Sequence, residues 1–139
     1  MTAENTSARE PSHLAESRGV YGFLDEIRQR PGMWVRHRSL QHLDSILIGY
    51  RVAMEVHGVH EDDFPFWGVD DRGPFEEWLQ QRRGQHSALG WPVEIERDAE
   101  AAGVPAIELF FSLLDEYRAE QSRSVESQLM IDGLASGDA

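Results

Sequence analysis

The stretch that decides the fold is "SLQHLDSILIGYRVAMEVHG", which runs from Ser39 to Gly58. Its apolar side chains recur at intervals of three and four residues, a spacing typical of a helix with one buried face. Ser39 is a suitable N-cap, and Gly58 is well placed to end the helix. The spacing predicts that one face carries Leu40, Leu43, Ile46, Leu47, Tyr50, Ala53, Met54 and His57.

Other segments with the same period flank this helix. A first helix is predicted from Val20, and it must stop before Pro31 because the residue that precedes a proline avoids the α region. A proline and a glycine bound another helix over residues 74–84. The segment from Trp91 is weaker and fits a helix better than a strand. The last strong segment starts near Pro105 and is apolar around much of its circumference, which predicts the central helix.

These elements predict an all-α fold, with a single compact domain of about five helices over residues 19–118. Residues 1–18 are rich in small and polar side chains, so they are predicted to form a flexible tail. Residues 119–139 are predicted to form a polar tail, in which a faint amphipathic pattern allows a short helix. The chain of 139 residues has the size of one ordinary domain.

The composition narrows the classes of partner. The chain has 25 acidic and 13 basic residues, for a net charge of −12, which repels nucleic acid and anionic membranes and makes a cationic partner the natural complement. The longest apolar run is too short to span a bilayer, and the first twenty residues do not resemble a signal peptide. The absence of cysteine excludes disulfides and thiolate zinc sites. We therefore expect a cytoplasmic protein without a cofactor.

Basic side chains gather at "RQRPGMWVRHRSLQHL", residues 28–43. At this junction Gly32 permits a positive φ, and Met33 and Trp34 are expected to pack back onto both neighbouring helices. Four arginines around the turn could bind an anion near the start of the next helix, or they could be solvated or paired with carboxylates. The four candidates for this anion site are Arg28, Arg30, Arg36 and Arg38.

The same sixteen residues resemble the start of the ATPase domain of the DNA gyrase B subunit and its relatives. In that family the helix after the turn supplies a glutamate general base and an asparagine that holds magnesium. The matching positions in this chain are Ile46 and Tyr50, which can neither accept a proton from water nor bind a hard cation at neutral pH. The resemblance therefore covers the turn without the chemistry, and it does not imply ATP hydrolysis.

An acidic and aromatic segment follows at residues 61–77, with seven carboxylates against the single cation Arg72. Its first part is predicted to be an ordered loop packed by its own rings. Phe75 and Trp78 suit the core face of the next helix, whereas exposed rings among carboxylates would suit a basic protein partner. The candidate partner-binding residues are Asp62, Asp63, Trp67, Asp70, Asp71, Glu76 and Glu77.

Catalytic and metal signatures are weak. His57 and His60 have the spacing of a metal-binding pair, but Gly58 between them breaks the helix that would hold both on one face, so no metal site is predicted. The sequence has no nucleophile elbow, phosphate-binding loop or HExxH motif, and no residue set has the geometry of a known reaction class. We therefore predict that the protein is not an enzyme.

A second resemblance rests on the order of "RPGMW", "LDSILIGY", "FEEWL" and "IELFFSLLDEY". This order is similar to that of a group of small uncharacterised bacterial proteins, which includes immunity-type proteins of polymorphic toxin systems. One departure is Arg36-His37, which stands where a glycine would usually follow the aromatic turn. The resemblance implies a protein that neutralises or sequesters a basic partner, such as a cognate toxin. Two alternatives stay open: a regulator or sensor that binds an anionic ligand at Arg28–Arg38, and a homo-oligomeric structural subunit paired through its final helix.

Overall fold

The computed structural model describes residues 19–59, Phe66 and residues 73–136. Its elements are α1 (Gly19–Gln29), α2 (Pro31–Trp34), a 3₁₀ turn (Arg36–Arg38), α3 (Leu40–Val56), α4 (Pro74–Arg83), α5 (Trp91–Ala102) and α6 (Ala106–Ser136). No strand occurs in these ranges, so the predicted all-α class is confirmed. The predicted N-terminal tail, residues 1–18, lies outside the described residues.

Local sequence signals account for most of the helix ends. The Ser39 side chain accepts a hydrogen bond from the His42 backbone N–H at 3.4 Å, as its predicted role as N-cap of α3 requires. Gly84 ends α4 in the left-handed conformation, with φ of 67°. The segment that begins at Trp91 is a helix, which settles the choice left open between helix and strand.

The first half of α6 lies at the centre of the fold, because it contacts α3, α4 and α5. This is the position that its broad apolar surface predicts. The α3 helix contributes a row of buried leucines at the expected spacing, whereas Ala53 and His57 at its far end are exposed. The buried apolar side chains of these two helices are Leu40, Leu43, Leu47, Ile107, Phe110, Phe111, Leu114 and Tyr117.

An aromatic cluster joins α4, α5 and α6. Phe75 is fully buried at its centre, with ring centroids 5.8 Å from Phe110 and 5.5 Å from Tyr117. Phe66 stacks on Phe75 at 4.9 Å and meets Trp91 edge-on at 5.9 Å. Phe66, which belongs to the segment predicted to be a loop packed by its own rings, thus also packs into the core. The other rings of that segment, Phe64 and Trp67, lie outside the described residues.

The described part of the predicted polar tail is helical, as its faint amphipathic pattern allowed, and it continues α6 without a break to Ser136. Residues after Arg118 are mostly good helix formers, and an amide-to-carboxylate hydrogen bond of 3.1 Å links Gln128 to Asp132 one turn on. Every residue from Ser122 to Leu134 is exposed. The second half of α6 therefore forms without the packing that holds the first half.

Candidate functional site

A cleft of about 620 Å³ lies between α3 and the connection from α4 to α5. Its apolar lining includes side chains that belong to the core and the aromatic cluster, and these form its floor. The floor residues are Leu47, Phe66, Phe75 and Trp91. The polar side chains that line the cleft are more exposed, so they form its rim. The rim residues are Gln41, Asp44, Ser45, Arg51, Glu76 and Ser87.

Asp44 is the rim residue with the most distinctive environment. It projects from α3 between the buried positions Leu43 and Leu47, so its carboxyl group is half-buried beside the core. Burial raises the pKa of the Asp44 carboxyl, because the charged form loses contact with water. No described residue forms a hydrogen bond or an ion pair with it. Asp44 is therefore a half-buried carboxylate without a counter-charge among the described residues, and a bound cation would stabilise its charged form.

Glu76 is the second rim carboxylate, and it comes from the first turn of α4. Its Oε1 atom lies 3.8 Å from the place that a Cβ at residue 90 would occupy. Gly90 has φ of 85°, a conformation that favours glycine, and at this residue the α4–α5 connection passes beside Glu76. The two carboxylates thus reach the cleft from elements that are far apart in sequence.

The cation on the rim of the cleft does not neutralise Asp44. Arg51 lies on the rim, but its guanidinium group is 3.3 Å from Glu55, one turn further along α3. Asp44 therefore places an acidic group without a described counter-charge above an apolar floor, and Glu76 adds a second carboxylate to the rim. A cation or a cationic side chain is the ligand that such a rim favours.

The structure locates two of the seven predicted partner-binding residues. Glu76 lies at the cleft, whereas Glu77 is on the exposed side of α4. The other five, which are Asp62, Asp63, Trp67, Asp70 and Asp71, lie outside the described residues. Sequence reasoning missed Asp44, although a carboxylate between two core leucines on a helix is a signal in itself.

The four arginines of the junction are close together in the sequence, but they do not all line the same cleft in the fold. A second cleft, of about 330 Å³, includes Arg28 and Arg38 in its lining, while Arg30 and Arg36 are exposed elsewhere. Arg28 already pairs with Asp115 at 2.9 Å and lies over the ring of Phe111. Its hydrogen bond to Asp115 raises the pKa of the Arg28 guanidinium, because the carboxylate stabilises the charged form.

The backbone of the junction differs from the prediction. Gly32 lies within the short helix α2, and the positive φ values fall on His37 (54°) and Arg38 (53°). A non-glycine residue in this region costs about 1–2 kcal/mol. Trp34 packs edge-on against Phe23 as expected, but Met33 is 72% exposed and does not pack on either helix. The turn is therefore made by the two residues before Ser39 rather than by Gly32.

A separate polar cluster ties α4 to α5. Arg83 lies 3.1 Å from Asp98 and 3.7 Å from Glu94, whose side chain is almost wholly buried. Gln80 is also buried, and its Oε1 atom is 3.0 Å from His86 Nδ1. These contacts join the end of one helix to the face of the next. The cluster therefore serves the fold, and it does not line either cleft.

The described residues contain no group of three or more side chains that could hold a metal ion. His57 is exposed just after α3, and His60 lies outside those ranges. No helix in the described part of the chain is long and apolar enough to cross a membrane. The candidate site is thus the acidic cleft, defined by its own geometry. No family model, curated protein or solved structure matches the chain.

Proposed function

We propose that this protein is a non-enzymatic, acidic binding protein that sequesters a basic protein partner in the cytoplasm. The observation that carries the proposal is the cleft between α3 and the α4–α5 connection, where Asp44 and Glu76 stand above an aromatic floor. The cleft adjoins the end of the acid-rich segment 61–77. In the setting that the sequence resemblance implies, the partner is the cognate toxin of an immunity protein.

Two properties of the chain support this function: its net charge favours the encounter with a basic protein, and its cleft can hold the partner after contact. A net charge of −12 attracts a basic protein and speeds the encounter, an effect that salt screens. Apolar floors surrounded by polar groups are typical of the places where one partner inserts an anchor side chain into the other. The proposed complex therefore forms quickly at low salt, and its retention depends on the cleft.

Affinity capture from the native cytosol tests the proposal. The tagged chain, its Asp44→Asn/Glu76→Gln variant and a matched control, Glu126→Gln/Asp132→Asn, would be incubated with the cytosol at low salt and eluted with high salt. The control removes the same charge from the exposed half of α6. We expect one basic protein in the eluates of the parent and the control, and much less of it with the cleft variant.

Two results would contradict the proposal. The first is equal capture of the basic protein by the cleft variant and the control, which would show that the cleft does not hold it. The second is that no protein is released by salt from any of the three chains. Circular dichroism of each variant confirms beforehand that the helical fold is intact.

A second candidate function is that of a small regulator which binds an anionic ligand at the arginine junction. The observation that favours it is the smaller cleft, in which Arg28 and Arg38 stand over the apolar surface of Ile107 and Phe111. Inorganic phosphate and acetate, titrated against the protein by calorimetry, test this function. We expect Arg38→Ala to abolish binding and Arg36→Ala, outside the cleft, to leave it unchanged; absence of binding by the parent would refute the site.

A further inference from the structure

We infer that the cleft between α3 and the α4–α5 connection is a subsite for a single arginine side chain of the partner, with the guanidinium group held between Asp44 and Glu76. This inference rests on the proposed function and adds the chemistry of the contact. It concerns one side chain, so it can be tested without knowledge of the partner.

A cation should bind at the rim because Asp44 has no hydrogen-bond or ion-pair partner among the described residues. A half-buried carboxylate without a counter-charge is unfavourable, and a cation that approaches it restores the lost stabilisation. The arginine of α3 itself does not supply this charge, because Arg51 is held by Glu55. Glu76 adds a second carboxylate from α4, so an entering cation meets acceptors from two elements.

Arginine fits this arrangement better than lysine. Its guanidinium group carries five N–H donors along the edges of a plane, so it can serve two carboxylates on different elements at once. It is also more weakly hydrated than an ammonium group, which lowers the free energy needed to bring it next to an apolar floor. The aliphatic stem can lie on Leu47 and on the aromatic side chains of the floor.

The volume of the cleft supports a side chain rather than a bare ion. At about 620 Å³ it falls in the range of sites that enclose small organic ligands, and its floor offers no oxygen ligands to a metal. Buffer cations would be solvated in such a space. A side chain with an apolar stem and a charged head uses both the floor and the rim.

Titration with blocked amino acids tests the inference directly. The probe is N-acetylarginine methylamide. The lysine counterpart is the control for the planar shape of the guanidinium group, and the citrulline counterpart is the control for its charge. Backbone amide NMR shifts of the full chain report where each compound binds. We expect saturable shifts confined to residues 41–51, Phe66, residues 73–76 and residues 87–93 with the arginine compound. The lysine compound should give weaker shifts and the uncharged citrulline compound none.

Variants of the rim provide the second measurement. Asp44→Asn and Glu76→Gln should each weaken binding of the arginine compound about 5- to 10-fold, the factor expected for loss of one hydrogen bond in a partly exposed site. Asp132→Asn, on the exposed half of α6, should leave the affinity unchanged. Equal shifts with the citrulline compound, or equal weakening by all three variants, would overturn the inference.

The result separates this inference from the proposed function. If the arginine compound fails to bind while the parent chain still captures a basic protein through the cleft, the arginine subsite is refuted and the proposed function stands. If the compound binds in the cleft but no basic protein is captured, the subsite stands and the proposed function is refuted.

Discussion

The two halves of α6 have the same backbone conformation and opposite surroundings. In the first half, side chains such as Phe110 and Tyr117 are almost fully buried against the neighbouring helices. In the second half, every residue from Ser122 to Leu134 is exposed, including Leu129 and Met130. The first half is stabilised by burial of apolar surface. The second depends on intrinsic helix propensity and on extension from a helix that has already formed.

The boundary between the halves is marked by the last contacts with the body of the protein. The Trp78 indole N–H donates a hydrogen bond to the Glu120 carboxylate. Arg118 lies 3.6 Å from Asp25 and over the ring of Tyr21. Both contacts occur within one turn of Tyr117, so α1 and α4 stop holding α6 at nearly the same point. The comparison teaches that helix length and domain boundary are separate properties in this chain.

The largest expected effect comes from opening the buried half. Phe110→Ala removes a fully buried ring from the aromatic cluster, and we expect it to lower the free energy of unfolding by about 3–5 kcal/mol. Leu129→Ala in the exposed half should change it by no more than about 0.5 kcal/mol. Urea denaturation followed by circular dichroism measures both. Similar losses for the two variants would contradict the comparison.

A smaller effect is expected at the boundary itself. Trp78→Phe keeps most of the apolar contact but removes the hydrogen bond to Glu120, and we expect a loss of about 0.5–1.5 kcal/mol. Amide hydrogen exchange should also quicken after Gln121, because the last tie to α4 is gone. Unchanged exchange in this segment would show that the tie does not limit fraying of the helix.

Removal of a carboxylate should change the pH dependence of stability in the packed part of the protein but not in the exposed half of α6. Because burial raises the pKa of Asp44 in the folded chain, the folded state binds a proton more readily than the unfolded state, and stability falls as pH rises from the ordinary aspartate range through the raised pKa. Asp44→Asn should remove this fall and raise stability at neutral pH, by no more than about 0.5 kcal/mol. Asp132→Asn serves as the exposed control. Thermal melts between acidic and neutral pH decide, and an unaltered profile for Asp44→Asn would contradict its burial.

The smallest effect on stability should follow from deletion of residues 122–139. The deletion removes the exposed half of α6, and we expect a change in unfolding free energy below about 0.5 kcal/mol together with a clear loss of helical signal. Solution mass of the full and shortened chains also tests the homo-oligomeric alternative, which needs the final helix. A large loss of stability, or a dimer that the deletion dissolves, would show that this half is packed in solution.

Sequence periodicity predicted the elements that are stabilised by burial. It did not predict the length of α6 where the helix is exposed. The core face of α3, the cap at Ser39 and the central position of α6 follow from apolar spacing and local turn chemistry. Beyond Arg118 the sequence allowed only a short helix, because an exposed helix has no strong apolar period from which its length could be predicted. The contacts of Phe66 with Phe75 and Trp91 were not predicted, since they join segments that only tertiary packing brings together.

The candidate site was predictable only in its charge. The acidic bias of residues 61–77 pointed to Glu76, but the cleft also needs Asp44 and the turn at Gly90, which come from distant parts of the sequence. At the arginine junction, charge alone grouped four side chains, whereas only Arg28 and Arg38 line the same cleft in the fold. The charge composition of the sequence thus indicates the kind of partner, whereas the packing of the helices determines which residues lie together in a cleft.

The central claim is tested most directly by the kinetics with which the captured basic protein binds the purified chain as salt is raised. Steering by net charge predicts an association rate that falls steeply with ionic strength for the parent and for Glu126→Gln/Asp132→Asn. Loss of the cleft contact predicts a faster dissociation rate for Asp44→Asn/Glu76→Gln at every salt concentration. Dissociation rates that are the same for the parent and the cleft variant would contradict the claim that Asp44 and Glu76 hold the partner.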